Sequence, residues 1–319
     1  MYKNFLVTGG AGFIGSHLID ALLTRGYNVL NIDKLDNNSN LKIKEESINN
    51  HLNHQNYSLL KKDFTDVEFI KMTLADFKPD VVIHLAAKTD IEESVKDPET
   101  CFNVNILGTL NLLRLAAHCN VKKFIFSSSA AVYGISEKIP LIEDESLLSP
   151  LSPYAVSKIA GEGLCHVYKT LYPIQCICLR FFNAYGPKQP SILLTYKFTK
   201  LITQGLPVPI YGDGNHTRDF VYVSDIVKGI LLAINFKEKN YEIFNISGSS
   251  QVSVLQVINI LEKEIGKKAK LEFLKPKECE ITKSFANCSK AKTLLGYEAE
   301  IPIELGIKKF VTWFNQNNQ

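Results

Sequence analysis

The chain has 319 residues, 45% of them hydrophobic, and a formal net charge of +3, which suits one large domain with an appended lobe and a sizeable core. The lysine pairs Lys61-Lys62, Lys122-Lys123, Lys267-Lys268 and Lys308-Lys309 are scattered among acids rather than gathered into one stretch, so neither nucleic acid nor a membrane surface is an expected partner. No run approaches the roughly 18 apolar residues of a membrane span, and the first strand signal starts by residue 4, leaving no room for a cleavable leader; a cytoplasmic protein is expected.

The apolar run Asn4 to Thr8 reads as a strand buried on both faces, and Phe13 to Leu23 brings back apolar residues at helical spacing. Between them lies Thr8-Gly9-Gly10-Ala11-Gly12-Phe13-Ile14-Gly15, spaced G-x-x-G-x-x-G. Gly9, Gly12 and Gly15 permit a tight turn, close backbone approach to a pyrophosphate and close packing of helix on strand, while the helix amino terminus offers free N–H groups. Gly9, Gly12, Phe13, Ile14 and Gly15 are therefore cofactor-binding candidates. A second buried strand, Asn28 to Ile32, ends in Asp33, 18 residues after Gly15, where a carboxylate accepts both hydroxyls of an adenosine ribose. That favours NAD over NADP, because the carboxylate would repel a 2′-phosphate, although the adjacent Lys34 weakens the repulsion.

The polar stretch Asp36 to Asn56 reads as a loop with a short helix. Apolar runs at Phe5 to Val7, Val29 to Ile32, Val81 to Leu85, Lys123 to Phe126 and Gln175 to Leu179 then alternate with helical patterns, predicting a doubly wound α/β domain with a parallel sheet. One helix is expected between Asn183 and Pro209, and from Tyr211 on the short strands and helices form a smaller lobe that closes over the crevice at the strands' carboxyl ends. The expected division is residues 1–182, with returning segments near 215–245, for the cofactor domain and 183–319 mainly for the substrate lobe. The seven cysteines are odd in number and dispersed; Cys176 and Cys178 alternate on a predicted strand and are expected not to share a site, so reduced, mostly buried thiols are expected.

The strand Lys123 to Phe126 runs into Ser127-Ser128-Ser129, whose hydroxyls are expected to face the nicotinamide. Ser152-Pro153 then starts a helix carrying Tyr154 and Lys158 one turn apart on one face. A free phenol, with a pKa of about 10, is a poor base at neutral pH, but a neighbouring ammonium and a positive nicotinamide ring favour phenolate. Tyr154 is the expected general base, Ser129 the hydrogen-bond partner of the reacting oxygen, and Lys158 a holder of the nicotinamide ribose.

Over nearly its whole length the chain resembles the extended short-chain dehydrogenase/reductases, within them the NAD-dependent nucleotide-sugar epimerases and dehydratases. The resemblance rests on Thr8 to Gly15, Asp33, Asp63 in Lys-Asp-Phe-Thr-Asp, His84 to Ala87, Asn103 to Thr109, Ser127 to Gly134, Pro153 to Lys158, Arg180 to Asn183, Tyr211 to Gly214 and Arg218 to Phe220. It implies a Rossmann domain with a smaller α/β carboxy-terminal lobe. It also implies that Asp63 and Phe64 flank the adenine, that Leu85, Ala86 and Ala87 line the cofactor with Ser127, and that Phe181 and Phe182 lie near the nicotinamide. Asn183, Tyr211 and Arg218 would grip the nucleotide diphosphate, and the helices Cys101 to Cys119 and Tyr154 to Tyr172 would form a homodimer interface.

Family dehydratases and decarboxylases carry an acid directly after the catalytic serine or threonine, whereas this chain has Ala130-Ala131. Oxidation and re-reduction at C4 are thus preferred over elimination, and a 4-epimerase of a UDP-sugar is the expected activity. A nucleotide-sugar 4,6-dehydratase or 4-ketoreductase is the alternative within enzymology, and a catalytically silent NAD-sensing protein the alternative outside it. The chain departs from the family at Lys277, where an arginine is usual, and at Cys279-Glu280, where Gly-Asp is usual; lysine keeps the charge but not the bidentate fork. Ser284 falls where the family gates its sugar pocket, so a small residue there points to N-acetylhexosamines, unless it is a plain surface serine. Lys88 or Thr89 is expected beside the sugar, and an inward Lys88 would suit a uronic acid. No metal site is expected.

Overall fold

A computed structural model describes residues 2–36, 41–136, 138–145, 149–276 and 283–317. In chain order the strands are β1 (Asn4–Thr8), β2 (Asn28–Ile32), β3 (Tyr57–Leu60), β4 (Val81–His84), β5 (Lys123–Ser129) and β6 (Gln175–Phe181). They continue with β7 (Asn183–Tyr185), β8 (Pro207–Tyr211), β9 (Thr217–Tyr222), β10 (Tyr241–Ile246), β11 (Gln251–Ser253) and β12 (Lys270–Leu274). Seven of them make one sheet in the order β10-β6-β5-β4-β1-β2-β3, parallel throughout.

Strand alternation assigns the two faces of this sheet. Phe5 and Val7 of β1 face helices Phe13–Thr24 and Val223–Asn235, in a core with Leu18, Leu22, Ile226 and Ile230. Leu6 between them faces helices Val67–Phe77, Thr109–His118 and Pro153–Leu171, with Ile70, Leu74, Leu112 and Cys165. Each such fully buried aliphatic contributes about 1.5–3 kcal/mol of transfer free energy. With both faces covered, the open positions are the strand ends. The order reverses between β1 and β4, so the crevice lies past their carboxyl ends, beside Thr8 and His84.

Two strands of the sheet lie outside the five apolar runs read from the sequence. β3 is short and half-buried, with only Tyr57 fully covered, and β10 returns late in the chain to pair with β6. The prolines of β8 do not prevent a strand, because β8 pairs only with β12 in a two-stranded sheet and one side needs no N–H. A third sheet, β11-β9-β7, packs with helices Leu194–Gln204, Val254–Ile265 and Ile303–Asn317 around Tyr196, Phe220, Leu261 and Phe310. Among the described residues no helix is long and apolar enough to cross a membrane.

The expectation for Cys176 and Cys178 is overturned. Residues two apart on a strand share a face, and both fully buried thiols lie against Cys165 of helix Pro153–Leu171. All cysteines among the described residues are free thiols.

Candidate active site

The glycine turn is fixed by steric exclusion. Gly9 has φ +74° and a Cβ there would lie 2.7 Å from the Ala86 nitrogen; a Cβ on Gly15 would lie 2.4 Å from the Gly9 carbonyl oxygen. Gly12 is the N-cap of helix Phe13–Thr24 and makes no side-chain cap, so the first helical N–H groups keep their capacity for an anion. Phe13 and Ile14, both half-buried, open that helix. A residue the motif search missed holds the turn: fully buried Asn31 of β2 accepts from Gly10 N at 3.0 Å and donates to the Tyr57 hydroxyl at 2.9 Å. Its signal was a polar residue inside an otherwise apolar strand.

Asp33 follows β2, buried, and its Oδ2 accepts from Ala11 N at 3.1 Å. This ties the carboxylate to the glycine turn. Lys34 does not pair with it but reaches Asp36 at 3.7 Å and Asp63 at 3.6 Å; the cation on Asp33 is Lys44, at 3.4 Å. Asp63 also accepts from the backbone and hydroxyl of Thr65. Buried Phe64 packs edge-on against His84, with Gly108 leaving room for its ring. Leu85, Ala86 and Ala87 are half-buried after β4, and Leu85 N donates to Thr8 O at 3.1 Å. The cradle that a Cβ would fill, the open helix terminus and the carboxylate at the end of β2 fit a dinucleotide.

His84 extends this frame toward the chemistry. Burial pushes its imidazole down to about 3, with Lys158 adding to the effect, so the ring is neutral. The Thr109 hydroxyl donates to Asn105 O at 2.6 Å, so His84 Nε2–H, 2.9 Å away, donates to Thr109 Oγ1. Nδ1 then accepts from the Thr8 hydroxyl at 2.7 Å. Asn105 lies in a π-helical turn, Asn103–Gly108, inside the predicted helix, a distortion common at functional sites. Its side chain clasps Lys88 N and O at 2.8 and 2.9 Å and donates to Ser157 Oγ at 3.0 Å. Ser157 in turn donates to Tyr154 O at 2.7 Å. The hydrogen bonds thus run from the end of β1 to helix Pro153–Leu171.

Ser127, Ser128 and Ser129 are strand residues rather than a tip beyond the strand, so they cannot all face one way. Ser128 is buried and donates to Glu162 Oε1 at 2.5 Å, which corrects the expectation that all three hydroxyls line the cofactor. Ser129 accepts from Ala131 N at 3.1 Å, and its hydroxyl lies near enough to the Tyr154 phenol to favour the phenolate. Helix Pro153–Leu171 starts where expected, with Ser152 capping Ala155 N and Pro153 at its first position. It sits close on β5 because Gly161 has no Cβ: one there would lie 2.2 Å from the Phe126 ring. That proximity brings Lys158 Nζ to 2.7 Å from Ser127 O and 5.7 Å from the centre of the Tyr154 ring.

Burial dominates both charges. It raises the Tyr154 phenol above its ordinary 10, against the opposing effect of nearby Ser129, and lowers Lys158 to about 8. In the protein alone, burial therefore keeps Tyr154 as the neutral phenol. Beneath them, Arg180 forms a buried fork on Glu162 at 2.9 and 2.8 Å, donates to the Tyr133 hydroxyl at 2.9 Å and is held firmly charged. Arg180 was marked by the family resemblance, whereas Glu162 had no sequence signal beyond residue type.

The residues expected to meet the substrate are held more loosely. Phe181 is in register with Ser129 across β5 and β6, and Phe181 and Phe182 are both buried. Asn183, Tyr211 and Arg218 are each partly exposed on β7, β8 and β9; Arg218 Nη1 donates to Thr217 O at 3.1 Å. Lys88 is about one-third exposed and pairs with Glu93 at 3.5 Å. Lys277, Cys279 and Glu280 lie outside the described residues. Ser284 is no surface serine: it is buried, and its N–H donates to Thr217 O at 3.1 Å, beside Arg218. Among the described residues no cluster of three or more His, Cys, Asp or Glu is placed to hold a metal ion.

Comparison with known proteins agrees with this frame over its full length. The family described as GDP-mannose 4,6 dehydratase matches residues 6–310. A UDP-glucuronate 4-epimerase of Thermodesulfobacterium geofontis is 37% identical, over 98% of this chain and 96% of its own. The Thermotoga maritima UDP-glucose 4-epimerase structure with UDP-glucose superposes with a TM-score of 0.92 at 34% identity, covering 99% of this chain and 100% of that one. The Bacillus cereus UDP-glucuronic acid 4-epimerase, in complex with UDP-glucuronic acid and NAD, gives 0.92 at 36% identity, covering 98% and 99%. A glycine cradle, a Ser-Tyr-Lys site on one parallel sheet and these full-length likenesses lead to one conclusion: the chain belongs to the extended short-chain dehydrogenase/reductase family of NAD-dependent nucleotide-sugar epimerases and dehydratases.

Proposed function

We propose that Ser129, Tyr154 and Lys158 carry out the proton transfers of epimerisation at C4 of a UDP-hexose, which passes through a 4-keto sugar. The chain is an NAD-dependent nucleotide-sugar 4-epimerase. The observation that carries the assignment of roles is the meeting of β5 with helix Pro153–Leu171, which sets Lys158 Nζ 2.7 Å from Ser127 O and 5.7 Å from the centre of the Tyr154 ring, with Ala130-Ala131 after Ser129 where a dehydratase has an acid. NAD, when bound, supplies the acceptor and later the donor of the C4 hydride, and Gly9, Gly12, Gly15 and Asp33 would hold it. Tyr154 takes the proton of the 4-hydroxyl, with Ser129 hydrogen-bonding the reacting oxygen, and returns it when the other face of the ketone is reduced. Lys158, anchored on Ser127 O, supplies the charge that keeps the phenol acidic enough at the moment of transfer.

Asp63, Phe64, Leu85, Ala86, Ala87, Ser127 and Phe181 complete the cofactor contacts in this reading. Asn183, Tyr211 and Arg218 hold the nucleotide diphosphate with Lys277, and residues 183–319 mainly serve the sugar nucleotide. The small, buried Ser284 beside Arg218 favours a substrate with an N-acetyl group. The outer stripe of helix Pro153–Leu171 exposes Val156, Val167 and Leu171, which supports a homodimer paired through this helix. A cytoplasmic location is part of the same reading.

Separate incubations with UDP-glucose, UDP-N-acetylglucosamine and UDP-glucuronic acid in the presence of NAD, resolved by proton NMR, test it. The matching galacto-epimer without net NADH is expected. A stable 4-keto product, or stoichiometric use of reduced cofactor, would replace the epimerase by a dehydratase or reductase.

A further inference from the structure

An ionised carboxylate has about four acceptor positions, two on each oxygen. Asp33 Oδ1 accepts from Leu35 N at 3.0 Å and from Lys44 Nζ at 3.4 Å, while Oδ2 accepts from Ala11 N at 3.1 Å. One position remains, whereas the two hydroxyls of an adenosine ribose need two. Lys44 is no casual surface contact. Helix Leu41–Asn49 delivers it, its side chain is only 18% exposed, and a second bond of 2.9 Å to Asp36 holds it in place. Burial works against its charge, but Asp33 and Asp36 outweigh that and raise its pKa. Lys34, next in sequence to Asp33, instead bridges Asp36 and Asp63.

We propose that Lys44 is the specificity-determining residue of the adenosine-ribose site. It competes with the ribose hydroxyls for Asp33 and places a cation where a 2′-phosphate would otherwise meet only repulsion. The proposal rests on the dinucleotide reading of the glycine cradle. Asp33 alone selects strongly for NAD; with Lys44 on its outer oxygen the pair is close to neutral, and the selection weakens. When the ribose takes Oδ1, Asp36 keeps the displaced ammonium at the rim, within reach of a phosphate at the 2′ position.

Fluorescence titration of NADH and NADPH into the wild-type protein, K44M, K44R and K34M separates the outcomes. In K44M the ratio of the NADPH to the NADH dissociation constant should rise about tenfold or more, a shift of about 1.4 kcal/mol, with NADH bound as tightly as before or tighter. K44R should keep the wild-type ratio, and K34M should change it less than about threefold by the same measure. Thermal melts of the variants confirm that they fold. An unchanged or falling ratio in folded K44M overturns the role of Lys44, whereas failure of wild type to bind either dinucleotide overturns the cofactor reading and this proposal with it.

Discussion

The carboxyl edge of the large sheet and the two small sheets are built in opposite ways. At the edge, position comes from the backbone and from buried polar groups: the glycine turn, Asn31, His84 and Asn105 satisfy one another, and Glu162 and Arg180 brace the catalytic strand from below. In the lobe, Asn183, Tyr211 and Arg218 are half-open side chains on short strands, and β12 is exposed along its whole length. Chemistry common to many sugars thus sits where a substitution disturbs several neighbours. The proposed grip on the nucleotide diphosphate sits where residues can change singly.

The contrast is sharpest at Tyr154. Y154F should lower kcat by about 10²–10⁴-fold while leaving the NADH dissociation constant within about threefold; steady-state kinetics beside titration would show it, and a variant with near-normal turnover would take Tyr154 out of the chemistry. Next in size is the buried brace. E162Q leaves the Arg180 cation without its fork, and urea unfolding should register a loss of about 3–5 kcal/mol. A loss below about 1 kcal/mol, the worth of a surface pair, would mean that the edge is not rigid in the sense described. In the lobe, R218A should raise KM about tenfold to a hundredfold, as expected for a lost charged hydrogen bond of about 1.5–3 kcal/mol, with kcat little changed. An equal fall in kcat would erase the distinction between the two regions.

The smallest effect is a pH dependence. Lys158 titrates near 8 in the folded chain, below the ordinary lysine value of 10.5, so its ammonium is given up as pH rises through about 8. Turnover should decline several-fold above that point in a kcat profile from pH 6 to 10. Stability should move the other way. Below about 8 both folded and unfolded states carry the proton and the cost of burying the charge is felt in full; between about 8 and 10.5 the unfolded chain binds the extra proton, and this group's contribution rises with pH. A flat kcat profile through pH 9.5 would detach Lys158 from the reaction.

Most of the sheet was legible because β1, β2, β4, β5 and β6 are buried on both faces and read as largely apolar runs. β3 escaped because half of it faces out, and β10 because its place in the sheet is set by a distant partner. The site divides similarly. Gly9, Asp33, Tyr154 and Lys158 announce themselves by spacing, whereas Asn105 works only through a π-turn that no periodicity reveals. Lys44 was hidden for a plainer reason: Lys34 stood next to Asp33 in sequence, but the cation that reaches it comes from the following helix.

The trio of Cys165, Cys176 and Cys178 gives the molecule a built-in clock. All three thiols are sealed between helix and sheet, and burial raises the pKa of Cys165 and Cys178, so alkylating reagents meet them only when that layer opens. Cys119 is partly exposed and should be modified first. A gap between an early and a late wave of labelling would therefore time the opening of the catalytic layer itself, with no probe added to the chain.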